Sequence, residues 1–207
     1  MTSLWGPLGW MTLHSMASLY PDIPSDSERK LMMSWLTHFQ DTITCPSCRD
    51  HFTTSLESYR AQFPNMMSSR QTFMVFTLRV HNSVNRRLNK PMYKTVDECY
   101  ETLRNVVKSK ATRDYRMAYY THIRRQWKLY QDATGMSALR KINDMLKIEG
   151  DYAAPRSNNF EVPIQDDVVV IGDLPIQVAG AIVDIRPQQS QTVGRRLRFT
   201  GGVMKFF

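Results

Sequence analysis

The chain has three cysteines, and two of them form Cys45-Pro46-Ser47-Cys48. A proline suits the first turn of a helix, where its missing N–H had no partner, so Cys45 falls at a helix amino terminus. Unpaired backbone N–H groups and the positive end of the helix dipole favour thiolate over thiol there. The two-residue spacing lets the pair close into a disulfide and reopen, exchanging electrons with other dithiols. The same residues also begin a zinc pattern. Cys45, Cys48 and His51 stand at C-x-x-C-x-x-H spacing, and Cys99 or His81 can complete four ligands. On this motif alone redox and metal chemistry are both open.

Two further groups bear on the choice. Trp10 and His14 lie four apart, on one face of a helix. His81 and Asn85 share a face of another, with Asn82 beside them and Lys90 following at the helix end. Flat rings, amides and a cation are the groups that stack on a large aromatic ligand and bond its polar edges and phosphates. Trp10 and Trp35 are equally consistent with ordinary core. Polar residues inside an apolar stripe need partners, however, and a ligand supplies them.

Five motifs follow one another in order: Trp5-Gly6-Pro7 with Trp10-x-x-x-His14, Tyr20-Pro21, Cys45-x-x-Cys48-x-x-His51-Phe52, and His81-Asn82-x-Val84-Asn85-x-x-Leu88-x-Lys90-Pro91. Over residues 3–105 the chain resembles the Erv/ALR family of FAD-dependent sulfhydryl oxidases, particularly the compact versions of large cytoplasmic DNA viruses. The resemblance implies a four-helix bundle with a short extra helix, a homodimer, and FAD held non-covalently. It places Trp10, His14, His51, His81, Asn82, Asn85 and Lys90 at the flavin, and Tyr20 on the Tyr-Pro pair alone. It also implies that a partner thiolate attacks Cys45, that Cys48 faces the flavin, and that dioxygen is reduced to hydrogen peroxide. Many members carry a further shuttle cysteine pair, and this chain has no second C-x-x-C. Direct reaction with a thioredoxin-like or other dithiol protein is therefore expected, with Cys99 as a buried helix cysteine.

The elements that position these residues read as helices to about residue 148. Trp5 to Leu19 has helical spacing, and Pro21 and Pro24 end it. Ser25-Asp26-Ser27-Glu28 is a capping box ahead of Leu31, Trp35 and Phe39. A helix from the C-x-x-C runs to about Tyr59, and another carries the stripe Phe73, Phe76, Val80, Val84 and Leu88 until Pro91. Thr95-Val96-Asp97-Glu98 forms a second capping box, and 137–148 is one more helix. From Asp151 the runs Val162–Ile171, Ile176–Ile185 and Leu197–Phe207 are β-branched or alternating, cut by Gly and Pro. The fold class expected is mainly α: a flavin domain over 1–108, a basic helical extension over 109–150, and a small β-rich region over 151–207.

The composition of the 207 residues, 42% hydrophobic and 22% charged, is that of a globular protein. No apolar run reaches the length of a membrane span, and the amino terminus lacks the layout of a secretory signal. The expected setting is a cytosol-like compartment, the host cytoplasm or the virion for a viral protein. The net charge of +8 is uneven, with residues 101–150 holding 11 basic side chains against 5 acidic. In this segment Tyr115, Tyr119, His122, Arg124, Arg125 and Trp127 interleave rings and cations as a nucleic-acid surface does. Their spacing also suits a packing helix, which is the reading favoured. Two alternatives to the oxidase remain: a zinc-braced interaction module, and an oxidase-derived structural protein of a virion.

Overall fold

The computed structural model describes residues 2–107 and 110–164, with side chains from Trp5 onward, and the backbone of Gln177–Val178 and Ala181–Ile182. Seven α-helices lie in the described residues: α1 Thr2–Leu19, α2 Asp26–Asp41, α3 Pro46–Gln62, α4 Arg70–Arg87, α5 Val96–Val106, α6 Thr112–Trp127 and α7 Ala133–Ile148. A π-helical turn over Glu149–Ala153 and a 3₁₀ turn over Ala154–Arg156 follow. The mainly α expectation holds for this part. Of the β-rich region, the structure describes one antiparallel pairing, Gln177 with Ile182 and Val178 with Ala181. Residues 151–164 of that region hold no strand, because the chain there continues from α7 into the π-helical and 3₁₀ turns and then irregular backbone; the rest of the expectation lies outside the described residues.

The helix starts follow their caps. Ser25 Oγ accepts from the Glu28 N–H at 3.2 Å, and Glu28 Oε2 accepts from the Ser25 N–H at 2.9 Å, closing the expected box. At α5 the box is one-sided. Thr95 Oγ1 caps the Glu98 N–H, but the Glu98 carboxylate accepts from the Lys94 N–H at 2.7 Å. The α4 stripe also departs from expectation. Leu88 is 53% exposed at the C-cap and Val84 is half-buried, while His81, Asn82, Ser83 and Asn85 are buried. The buried face of α4 thus turns polar in its last two turns, because hydrogen-bond partners wait there.

A single core cluster runs from Met11 to Phe160. Helix α1 is its axis, packed against both α4 and α6. Gly9 permits the close approach of α6, since a Cβ there would lie 3.4 Å from Tyr119 Cε2. Trp35 is wholly buried, donates Nε1–H to Tyr120 Oη at 3.1 Å, and stacks on Phe39, which stacks in turn on Tyr119. Trp127 donates to the Thr42 carbonyl at 2.8 Å. Tyr119 and Trp127 are therefore core, as the packing reading expects, Tyr115 and His122 are half-buried, and Tyr120 joins the core beside them. Arg124 and Arg125 are exposed.

One member of the basic segment is not on the surface. Arg116 is fully buried and forks onto Glu149, Nε to Oε2 at 2.7 Å and Nη2 to Oε1 at 2.9 Å, while Nη1 donates to Ser15 Oγ at 2.6 Å. The pair ties α6 to the turn after α7 and to α1. Removing one partner strands the other charge in the core. Arg116→Met is expected to destabilise by about 3–5 kcal/mol, and Arg116→Met with Glu149→Leu is expected to recover most of that loss. Urea unfolding midpoints of the single and double variants check it.

Candidate active site

Cys45 is the N-cap of α3, and Pro46 opens the helix behind it. Its carbonyl accepts from the N–H groups of Cys48 at 3.1 Å and Arg49 at 2.9 Å, and its Sγ lies 3.5 Å from Ser47 Oγ. Cys45 and Cys48 form a disulfide with their Cα atoms 5.2 Å apart. Both are part-exposed, and Cys48 packs against the hydrophobic core. Three residues on, His51 sits half-buried on the same helical face, its Nε2 3.2 Å from Ser83 Oγ on α4.

A second cluster joins α1, α4 and α5. The Trp10 ring stacks on His81 at 4.1 Å and 10°. His14 Nε2 and His81 Nδ1 are 3.0 Å apart, and His14 Nδ1 is 3.1 Å from Thr77 Oγ1. Cys99 Sγ lies 4.0 Å from His14 Nε2. His14, His81, Thr77 and Cys99 are all buried, and His81 Nε2 has no hydrogen-bond partner. Tyr93 closes the edge of the His81 ring at 5.5 Å.

The remaining predicted site residues divide. Asn82 uses its amide on the chain after α4, donating to the Tyr93 carbonyl at 2.8 Å and accepting from the Tyr93 N–H at 3.0 Å. Asn85 donates to the Pro91 carbonyl at 3.1 Å. Both asparagines thus anchor the segment that carries Lys90, whose side chain is exposed. Tyr20 is not brought to the cluster. It is fully buried just past the end of α1, donates to the Met67 carbonyl at 3.0 Å, and meets Phe73 edge-on.

All three site histidines are held neutral. Burial lowers His14 to about 3 and His81 well below its usual value, with His14 and Lys90 adding repulsion at His81. Burial also lowers His51, to about 4, with the Arg87 cation as the lesser cause. Burial pushes the Cys99 thiol far up, so it stays protonated.

Residues 8–104 match the Erv1/Alr family. The chain is 35% identical over 86 residues to the FAD-linked sulfhydryl oxidase of African swine fever virus, which covers 42% of this chain and 69% of that protein. That share and identity decide the family. This chain belongs to the Erv1/Alr family of FAD-linked sulfhydryl oxidases. It is also 33% identical over 88 residues to the FAD-linked sulfhydryl oxidase ERV1 of Arabidopsis thaliana, over 42% of this chain and 44% of that one. With ERV2 of Saccharomyces cerevisiae the figure is 29% over 88 residues, 42% of this chain and 43% of that one. No solved structure matches the chain.

The residues fit the cofactor of an Erv1/Alr protein. A stacked Trp10–His81 pair, an unpartnered buried nitrogen on His81, and the cations Arg87 acting on His51 and Lys90 acting on His81 match a ligand of flat rings and phosphates. The zinc arrangement is not assembled. Cys45 and Cys48 are bonded to each other, and the other proposed ligands, His81 and Cys99, are grouped with His14 instead. Sequence reasoning passed over Thr77, Ser83 and Arg87. The Arg lay in plain view after Asn85, but two hydroxyls on a helix carry no local signal of a histidine partner.

Two outcomes are expected. The lowered histidine values mean that the unfolded chain binds protons which the folded chain refuses. The stability from neutral burial is complete above about pH 6.5 and declines as pH falls toward the folded values of about 4 and 3. The thermal midpoint should drop by roughly 5 °C or more between neutral pH and about pH 4.5. Asn82→Ala leaves both Tyr93 backbone groups unpaired and should cost about 1–3 kcal/mol, read from the denaturant midpoint.

Proposed function

We propose that Cys45 and Cys48 are the working pair of an FAD-linked sulfhydryl oxidase that forms disulfides in partner dithiols. The observation that carries this reading is the disulfide at the start of α3, part-exposed at Cys45 and packed on the core at Cys48. Family membership supplies the cofactor, FAD, and the co-substrates, a dithiol and dioxygen.

A partner thiolate attacks Cys45 Sγ, the S–S bond breaks, and Cys48 leaves as a thiolate. The first-turn N–H groups of α3 and the helix dipole stabilise the negative sulfur. A second partner thiolate then attacks the partner's own sulfur in the mixed disulfide, releases Cys45, and leaves two electrons on the Cys45/Cys48 dithiol. The chemistry that bound FAD would supply is acceptance of those two electrons and their delivery to dioxygen, giving hydrogen peroxide. Trp10 and His81 supply a stacking wall, and Lys90 with Arg87 supplies positive charge for phosphates. His14 and His51 complete the site from α1 and α3, and Asn82 and Asn85 hold the Pro91–Tyr93 segment beside it. Tyr20 joins this set on the resemblance alone.

Residues 1–108 form the oxidase unit in this reading. Residues 109–150 are an extension that buttresses α1, and 151–207 an accessory region. The partner is a thioredoxin-like or other dithiol protein that reaches Cys45 directly, and the active form is a homodimer, both on the family resemblance. Among the described residues no helix is long and apolar enough to cross a membrane. The viral relatives support a place in the host cytoplasm or the virion.

The visible spectrum tests the reading. The purified chain should be yellow, bleach on adding a dithiol under argon, and recover its colour in air. Cys48→Ser should keep the colour and lose dithiol bleaching. A colourless protein that releases zinc on thiol modification overturns the oxidase. A yellow protein that never bleaches leaves the structural reading instead.

A further inference from the structure

The two histidines of the buried cluster can each carry their proton on either ring nitrogen, and the surrounding hydroxyl decides which. Thr77 Oγ1 donates to the Met74 carbonyl at 2.8 Å. A hydroxyl has one proton, and with that proton on the shorter contact to the carbonyl this oxygen faces His14 Nδ1 at 3.1 Å as an acceptor. Tyr100, a second acceptor that Thr77 faces, gives its own proton to the His14 carbonyl at 3.1 Å and offers none to Thr77. His14 is therefore protonated on Nδ1 and bare on Nε2. The thiol of Cys99 agrees with this, since it keeps its proton and stands 4.0 Å from that bare nitrogen as a weak donor. With His14 Nε2 an acceptor, His81 Nδ1 at 3.0 Å must be the donor. The remaining nitrogen, His81 Nε2, is then a bare lone pair, and among the described residues it is one of the buried polar atoms without a hydrogen-bond partner.

We propose that Thr77 is a positioning residue: through His14 it fixes His81 in the Nδ1–H form, so that the cofactor pocket offers an acceptor nitrogen beside Trp10 and selects a ligand N–H or O–H donor. The proposal rests on the placement of FAD against Trp10 and His81 made above. A buried acceptor without a donor has lost its hydration uncompensated, so a ligand donor there gains correspondingly in affinity. The same logic recurs one and a half turns along α4. Ser83 Oγ donates to the Val80 carbonyl at 2.8 Å and so accepts from His51 Nε2 at 3.2 Å, leaving His51 Nδ1 bare. In both places a hydroxyl on α4 is tied to the carbonyl three residues back and sets the tautomer of a histidine from another helix.

Long-range ¹H–¹⁵N spectra of the ¹⁵N-histidine-labelled holoprotein test this, because ring-nitrogen shifts separate bare from protonated nitrogen. Five histidines contribute, and His38 and His122 serve as references outside the cluster. The expected result is Nδ1–H at His14 and His81 and Nε2–H at His51, with the His81 Nε2 signal moving when FAD is stripped. Thr77→Val, which keeps the shape and loses the oxygen, should release the His14 tautomer and weaken FAD retention about tenfold. Thr77→Ser should keep the wild-type tautomers. Nε2–H at His81 in the wild-type spectrum overturns the proposal whether or not FAD is bound, and that spectrum does not depend on any variant folding. Unchanged tautomers in a folded Thr77→Val protein also overturn it. So does a metal that co-purifies on His14, His81 and the Cys99 thiolate. Tautomers as assigned with a His81 Nε2 signal indifferent to FAD would instead refute the placement of FAD at this wall.

Discussion

Two neutral imidazoles share one hydrogen bond in the centre of this protein. His14 on α1 and His81 on α4 meet at 3.0 Å in a place where neither can be charged, because burial holds both far below the usual histidine range. A charged imidazole there would lose its hydration with nothing to replace it. The contact sets where α1 and α4 cross, lays the His81 ring under Trp10, and leaves Tyr100 and Tyr93 to close the remaining sides. The polar last two turns of α4 follow from it. Once His81 is inside, Asn82 and Asn85 turn their amides onto the backbone of residues 91–93, so that the segment after the helix folds back along it.

The redox pair sits on a separate helix, joined to this centre through the His51–Ser83 contact. Helix α3 contributes its amino terminus, the end where backbone N–H groups stabilise a thiolate. Helix α4 contributes its carboxy-terminal turns, where Arg87 and Lys90 complement the negative end of the dipole. Cys45 and Cys48 thus sit at the helix end whose field favours an anion, and Arg87 and Lys90 at the end whose field favours cations.

Helix α1 is shared between this site and a second structure on its other side. Arg116, Glu149 and Ser15 form a buried ionic contact, and Tyr119 and Tyr120 pack among Trp35 and Phe39. The part of the chain beyond the family match is thus pressed against the helix that carries Trp10 and His14. Rigidity of α1 from that side keeps the stacked rings in place, because close-packed interiors transmit rather than absorb displacement.

Much of this was legible in the sequence. The C-x-x-C behind a helix start, the capping box at Ser25, the stops at Pro21 and Pro91, and the ordered Trp, His and Asn motifs are local signals, and each rests on a backbone rule that acts within four or five residues. They gave the helices, the redox pair and the family. The tertiary structure decided what depends on partners distant in the chain: that His14 finds His81 across 67 positions, that Thr77 and Ser83 orient histidines on other helices, that Asn82 binds Tyr93, and that Arg116 is inside. Leu88 and Tyr20 make the same point from the other side, one an expected core residue that lies exposed and the other a site candidate that lies in the core. A side chain's type states what bond it can make. Only the packing of helices states with whom, because a hydrogen bond needs its partner within about 3 Å and the sequence sets no such distance between elements.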